Sequence, residues 1–145
     1  MPREIITEIA IQATPERVWQ ILTDFPTLPQ WNPMMVEAKG EVTQGSQIAA
    51  CLQLDGKKPM WVRPWLVVVD SSREMRWKGK LFIPDLFDVE HRFVIEPNGD
   101  GVRFIHSERF TGILVEWVLG MIGGTARLGF EAMNSALKTR AESGT

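Results

Sequence analysis

Three ionisable side chains interrupt the apolar faces of two neighbouring strand-like runs. In residues 88–97 (DVEHRFVIEP), strict alternation places His91 on the same face as the apolar side chains. In residues 101–112 (GVRFIHSERFTG), alternation does the same for His106 and Glu108. An ionisable group on an inward face is unfavourable unless it bonds to another polar group, to water or to a ligand. Imidazole and carboxylate groups placed together can exchange a proton near neutral pH or orient the polar end of a bound molecule.

The spacing between the two runs leaves two antiparallel registers open. If residues 97–100 form a four-residue hairpin loop, His91 lies opposite His106. If the pairing shifts by two residues, His91 lies opposite Glu108. A shift by one residue is disfavoured because it would turn one apolar face toward solvent. In both open registers the three side chains come within cross-strand or diagonal reach of one another.

Several roles remain open for these three residues. They can satisfy one another or buried backbone groups, they can contact a ligand, or they can supply a catalytic acid and base. The catalytic candidates are then His91, His106 and Glu108. Two histidines and a carboxylate also match the composition of a facial metal triad, but neither an HxH nor an HExxH spacing accompanies them. We therefore expect no metal and no cofactor.

Periodicity and turn signals indicate the elements that would position these residues. Residues 3–12 alternate as a strand, and Thr14 then caps a short helix whose first position is Pro15. A second short, proline-rich helical segment ends at Trp31. Strand-like runs follow near 35–42, 46–54, 60–70, 73–83, 86–96 and 102–111. The short turns between them favour an antiparallel meander, and apolar residues at helical spacing predict a long helix over 125–141 that packs on it.

Length and composition are typical of a globular protein. The 145 residues, 44% of them hydrophobic and 23% charged, predict one domain spanning 1–145 with a sizeable core. A net charge of −2 without a basic run argues against nucleic-acid binding. One cysteine, no secretory signal and no apolar stretch long enough to cross a bilayer predict a cytoplasmic protein without a transmembrane segment. No pattern indicates the oligomeric state.

Six short motifs, in their order and spacing, resemble the START/Bet v 1-like (SRPBCC) superfamily and, within it, the polyketide cyclase/dehydrase-like branch. They are 14–19 (TPERVW), 24–25 (DF), 31–33 (WNP), 91–93 (HRF), 108–112 (ERFTG) and 133–138 (MNSALK). The resemblance implies an α+β helix-grip fold. In such a fold a curved antiparallel meander sheet wraps around a long C-terminal helix, two short helices follow strand 1, and an apolar cavity lies inside.

The resemblance also implies a function, which is binding of a hydrophobic or amphipathic small molecule as a carrier or sensor. A lipid, an isoprenoid or a polyketide-like compound would suit such a cavity. An alternative is a polyketide cyclase/dehydratase-type enzyme that uses a cavity histidine as general base. The residues expected to line the cavity or orient the ligand are Trp31, Asn32, Trp77, His91, Phe93, Phe104, His106, Glu108, Phe110, Phe130, Met133 and Leu137.

The apolar segment 113–122 (ILVEWVLGMI) has no obvious place in this pattern. It can form an early part of the long helix, a lid with glycine hinges, or a surface that docks to a protein or a membrane. We favour a helical segment packed at the mouth of the cavity and keep the protein- or membrane-interaction module as a further alternative.

Overall fold

The computed structural model describes residues 3–54, 58–81 and 87–143. Within them the chain forms β1 (Arg3–Ile11), α1 (Pro15–Thr23), a 3₁₀ turn (Phe25–Thr27), α2 (Leu28–Trp31), β2 (Met35–Lys39), β3 (Ala49–Leu52), β4 (Met60–Val62), β5 (Trp65–Asp70), β6 (Glu74–Leu81), β7 (Phe87–Asn98), β8 (Gly101–Thr111) and α3 (Val115–Glu142). The predicted order of a strand, two short helices, a run of strands and a long helix is confirmed. The residues at 82–86, where two predicted strand runs meet, lie outside the described residues.

The helix start predicted at Thr14 is present. The backbone N–H of Arg17 donates to Thr14 Oγ1 at 3.1 Å, and Pro15 occupies the first helical position. Val18, Ile21 and Leu22 are the buried residues of α1. This apolar face fixes α1 against the core, because burial of such side chains is the main favourable contribution to packing.

The strands form two antiparallel sheets. The larger sheet has the order β1-β8-β7-β6-β5, and the smaller one has the order β2-β3-β4. The run predicted as one strand over 60–70 is split into β4 and β5 at Pro64, which lacks the N–H that a continuous ladder needs. An isolated bridge between Gln47 and Trp65 joins the two sheets. The predicted meander is therefore divided between two sheets.

The hairpin of β7 and β8 adopts the second of the two predicted registers. His91 pairs with Glu108, and the ladder closes at Asn98 and Gly101. The intervening turn has two residues, and Gly99 takes a φ of +61°. Glycine adopts this left-handed conformation without strain, so the tight turn is favoured over the four-residue loop.

The long helix begins at Val115 rather than near residue 125. Glycines at 120 and 123–124 lie inside it and do not break it. Val115 is buried, and Val118 and Leu119 pack against the core. These contacts offset the roughly 1 kcal/mol by which each interior glycine disfavours a helix.

The same helical segment also presents apolar side chains to solvent. Ile113, Trp117 and Met121 are exposed, and Trp117 keeps 65% of its surface accessible. The segment over 113–122 is thus helical from Val115 onward, as favoured, with one face toward the core and one outward. The docking role of the outward face stays a prediction.

Candidate functional site

Glu108, His91 and His106 form a hydrogen-bonded chain on the sheet face that α3 covers. His91 Nδ1 lies 2.5 Å from Glu108 Oε2, and His91 Nε2 lies 2.6 Å from His106 Nε2. The strand pairing explains these contacts, because His91 faces Glu108 and Phe93 faces His106, which brings the two imidazoles together diagonally. The predicted association of all three side chains is therefore present.

Two further residues anchor the inner end of this chain. His106 Nδ1 lies 2.9 Å from Asn134 Oδ1, and Asn134 Nδ2 donates to Thr7 Oγ1 at 2.8 Å. The Thr7 hydroxyl in turn donates to the backbone carbonyl of His106 at 2.9 Å. We call the five side chains of Thr7, His91, His106, Glu108 and Asn134 the polar network. It ties β1, β7, β8 and α3 together.

The direction of each hydrogen bond in the inner half is fixed. The carbonyl of His106 can only accept, so the Thr7 hydroxyl proton is committed to it and Thr7 Oγ1 accepts from Asn134. Asn134 Oδ1 then faces His106 and can only accept, which places a proton on His106 Nδ1. A neutral His106 consequently presents a lone pair at Nε2, and His91 Nε2 must donate to it.

Burial keeps His106 neutral. Desolvation lowers the pKa of His106 well below its usual range, and the charge of neighbouring His91 lowers it further. Hydrogen bonds with Asn134 and with the Phe130 backbone oppose this shift. The low pKa agrees with the lone pair that the hydrogen-bond directions require at His106 Nε2.

Aromatic rings surround the two histidines. The ring of His106 stacks on Phe130 of α3 with centroids 4.4 Å apart, and His91 stacks on Phe93 at 4.5 Å. Trp77 meets His91 edge-on at 5.3 Å. The structure thus brings half of the twelve predicted residues into one cluster around the polar network. Phe104, Phe110, Met133 and Leu137 are buried in the core that adjoins it.

The predicted Trp31–Asn32 pair lies in a turn after α2. Asn32 Oδ1 accepts from the backbone N–H groups of Met34 and Met35 at 3.0 and 2.8 Å, so it shapes the entry into β2. Asn32 Nδ2 and Trp31 Nε1 are buried donors without an acceptor among the described residues. Neither residue contacts the polar network in the contacts that the structure describes, and their ligand-binding role stays a prediction.

A groove of about 410 Å³ separates β1 from the first half of α3. Its lining residues are Arg3, Glu4, Ile5, Leu119, Gly124 and Arg127. A Cβ atom at Gly124 would meet no other atom within 4 Å, so the missing side chain widens the groove. Ile5 pairs with Glu108 across β1 and β8. The groove therefore approaches the outer end of the polar network.

Another cavity, of about 480 Å³, lies on the opposite sheet face among residues such as Lys78, Glu90 and Arg109. Neither cavity is lined by the network histidines. The enclosed apolar cavity expected from the sequence stays a prediction.

Thr7 and Asn134 were missed as site residues by the sequence reasoning. Both are buried, and the periodicity of the sequence places both on the inward face of their element. Thr7 alternates with apolar residues of β1, and Asn134 lies four residues after Phe130 on the inward face of α3. A polar residue at an inward position of each element was the signal that could have found them.

Among the described residues, no helix is long and apolar enough to span a membrane. In the same part of the chain, no three His, Cys, Asp or Glu side chains are arranged to hold a metal ion.

Comparison with known proteins agrees with this architecture. A family model described as polyketide cyclase / dehydrase and lipid transport matches residues 3–142. A search of the curated proteins finds no match.

Several solved structures share the fold at low sequence identity. Major latex-like protein 151 from Panax ginseng is 12% identical with a TM-score of 0.77, covering 97% of each chain. The Zhui aromatase/cyclase from Streptomyces sp. R1128 is 14% identical with a TM-score of 0.75, covering 98% of this chain and 94% of that chain. A START superfamily protein from Mycobacterium smegmatis is 21% identical with a TM-score of 0.72, covering 98% of this chain and 99% of that chain.

These likenesses confirm the helix-grip fold expected from the sequence motifs. The match of the family model over nearly the whole chain shows the family itself. The chain belongs to the polyketide cyclase / dehydrase and lipid transport family.

Proposed function

We propose that this protein binds a hydrophobic or amphipathic small molecule, such as a lipid, an isoprenoid or a polyketide-like compound, and acts as its carrier or sensor. The family and the fold support a hydrophobic-ligand-binding or polyketide cyclase-type protein. One observation carries the choice of a binding role. The aromatic face under α3 contains the polar network, and both nitrogens of each histidine in it are occupied by protein partners.

A network of this kind suits recognition because only its outer end is accessible. The Glu108 side chain is 14% exposed, whereas that of His91 is 2% exposed. A bound molecule would place its apolar body against the aromatic rings and its polar end at Glu108. Binding sites for small molecules commonly combine apolar walls with a few fixed polar groups in this way.

Native mass spectrometry of the freshly purified protein tests this proposal. We expect an excess mass that disappears on denaturation and a released compound that organic extraction recovers. Because a ligand that binds only the folded state stabilises it, the extracted protein should also melt at a lower temperature. The variant Trp117→Ser provides the control, since this exposed side chain lies outside the core.

Two results would contradict the binding proposal. An excess mass that Trp117→Ser abolishes would indicate adsorption to the outer face of α3 rather than binding beneath it. A wild-type protein that shows no excess mass and does not enhance the fluorescence of N-phenyl-1-naphthylamine would have no apolar site to fill.

A second candidate, a cyclase/dehydratase-type enzyme, is favoured by the contact of Glu108 with His91. A carboxylate can accept a proton from a substrate, and Glu108 is the accessible member of the pair. The base in this candidate is Glu108 rather than a histidine, because the protein occupies the histidine nitrogens. In this case Glu108→Gln should abolish turnover of a polyketide substrate and leave its binding intact.

A further inference from the structure

We propose that the polar end of the ligand is an uncharged hydrogen-bond donor, such as an alcohol or phenol hydroxyl, and that Glu108 Oε1 receives it. This inference rests on the proposed binding function and adds the chemical class of the ligand. It follows from the hydrogen-bond directions in the polar network, which leave only one kind of atom facing outward.

The network fixes the number of protons at its outer end. His91 Nε2 donates to the lone pair of His106, so the contact between His91 Nδ1 and Glu108 Oε2 remains to be satisfied. His91 Nδ1 and Glu108 Oε2 can lie 2.5 Å apart only with a proton between them, because two lone pairs would repel each other. That proton makes the pair either an imidazolium with a carboxylate or a neutral imidazole with a carboxylic acid. In both forms the pair of His91 and Glu108 carries no net charge.

The outward-facing atom is an acceptor in both forms. Glu108 Oε1 has no hydrogen-bond partner among the described residues, and it is not one of their buried unpartnered atoms, so it is open to solvent. In the ion-pair form Oε1 is a carboxylate oxygen. In the neutral form the acid proton lies on Oε2 toward His91, and Oε1 is the carbonyl oxygen. Either way Oε1 offers lone pairs and no proton.

A carboxylate ligand would therefore meet another acceptor at this position. The polar network supplies no outward N–H or O–H group, because the protons of His91, His106 and Thr7 are directed to protein atoms. The amide of Asn134 is buried at the inner end. An anion placed against Oε1 would lose its hydration without a replacement donor. An ammonium ligand would gain a hydrogen bond but would give up its hydration beside a pair that carries no net charge to compensate it, which favours the neutral hydroxyl.

The charged groups of the neighbouring groove do not reverse this preference. Arg3 Nη1 donates to both carboxylate oxygens of Glu116 at 2.9 Å, and Arg127 donates to the backbone carbonyl of Ile6 at 3.3 Å. Glu4 also lines the groove. These two cations and two anions balance, so the approach to Glu108 has no net positive charge that would select an anionic ligand.

Three naphthalenes of nearly equal shape test the inference by titration of the wild-type protein in a calorimeter. The probes are 2-naphthol, which has a donor, 2-methoxynaphthalene, which has only an acceptor, and 2-naphthoate, which is an anion. We expect 2-naphthol to bind roughly tenfold or more tightly than 2-methoxynaphthalene, since a hydrogen bond to an ionised acceptor is worth about that factor. The anion should bind most weakly.

Two variants of Glu108 separate the hydrogen bond from shape. Glu108→Leu should weaken the binding of 2-naphthol to the level of 2-methoxynaphthalene. It should leave the binding of 2-methoxynaphthalene unchanged. Glu108→Gln should retain the preference for 2-naphthol, because its amide can donate to His91 Nδ1 and still present Oε1 outward. Circular dichroism and cooperative melting of both variants establish that they are folded.

The possible outcomes distinguish this inference from the proposed function. Equal binding of 2-naphthol and 2-methoxynaphthalene, or a preference for 2-naphthol that survives in Glu108→Leu, would overturn the inference and leave a binding function standing. Tightest binding of 2-naphthoate, lost in Arg127→Gln, would overturn it in favour of an anion site in the groove. Binding of none of the three would contradict the proposed function and the inference with it.

Discussion

Replacement of Asn134 by leucine tests whether the polar network has the directions derived above. Asn134 is 2% exposed and links His106 Nδ1 at 2.9 Å to Thr7 Oγ1 at 2.8 Å. Leucine has the same branched arrangement of heavy atoms as asparagine but is larger, so Asn134→Leu keeps the outline of the side chain while it removes both hydrogen bonds. The inner end of the network then contains a buried hydroxyl oxygen that has lost its donor and a buried His106 N–H that keeps only the Phe130 backbone as a partner.

The expected loss of stability follows from these two atoms. A buried polar group left without its partner costs about 1–3 kcal/mol. The Thr7 hydroxyl still donates to the His106 carbonyl, so its share falls at the lower end of this range. We expect Asn134→Leu to lower the free energy of unfolding by about 2–4 kcal/mol, a large part of the roughly 5–15 kcal/mol typical of a domain.

Urea denaturation followed by tryptophan fluorescence measures this loss. Ser135→Ala is the matched control, because Ser135 is the next residue along α3 and is exposed. Exposed substitutions of this kind change stability by about 0.5 kcal/mol or less. Thr7→Val should also cost less in the Asn134→Leu background than in the wild type, because the two residues share a hydrogen bond. A loss no larger than that of Ser135→Ala, or strictly additive losses in the double variant, would refute the assigned network.

Two further predictions concern stability. Because the pKa of His106 is lowered well below its usual range in the folded protein, the unfolded chain alone binds a proton at this residue as the pH falls below about 6.5. The free energy of unfolding should therefore decrease by up to about 1.4 kcal/mol per pH unit as the pH falls from about 6.5 toward the pKa of His106 in the folded protein. The decrease should be shallower in His106→Gln. Urea titrations at several pH values measure both slopes. Gly120→Ala should raise the melting temperature, since a Cβ there meets no atom within 4 Å and alanine favours the helix by about 1 kcal/mol. Gly101→Ala should lower it, since its Cβ would lie 2.3 Å from the Ile11 carbonyl oxygen; shifts of the same sign in both glycine variants would contradict this reasoning.

The sequence predicted the elements better than their junctions. Alternation and helical spacing are local properties, and they identified β7, β8 and the main part of α3. The start of α3 was placed too late because the glycines at 123–124 resemble a helix boundary. Contacts of Val115 and Leu119 with the core outweigh that local signal, and such tertiary contacts cannot be read from one segment. The same limit applies at Pro64, where a single missing N–H divides one predicted strand into two.

The three ionisable residues of the polar network were predicted from the sequence, whereas the two uncharged residues that anchor it were missed. His91, His106 and Glu108 were identified because each is ionisable on an apolar face, and both registers left open kept them together. Thr7 and Asn134 are uncharged, and a single polar residue among apolar ones is common at helix and strand surfaces. Their role depends on the contact of β1 and α3 with β8, which connects residues far apart in the sequence. The glycine turn at Gly99, rather than the hydrophobic pattern, decides between the two registers.

Because the polar network is hydrogen-bonded to protein atoms at its inner end, its polar groups can lie beside an apolar binding site without a large desolvation cost. His106 stays neutral because it is buried. Its Nδ1 proton is committed to Asn134, whose own donor is committed to Thr7. This leaves the shared proton of His91 and Glu108 as the variable part of the network. A hydroxyl that donates to Oε1 meets an acceptor whichever of the two residues holds the shared proton. The ligand therefore adds a hydrogen bond at the outer end of the network without adding a charge beside the rings of Trp77 and Phe93, which contact His91.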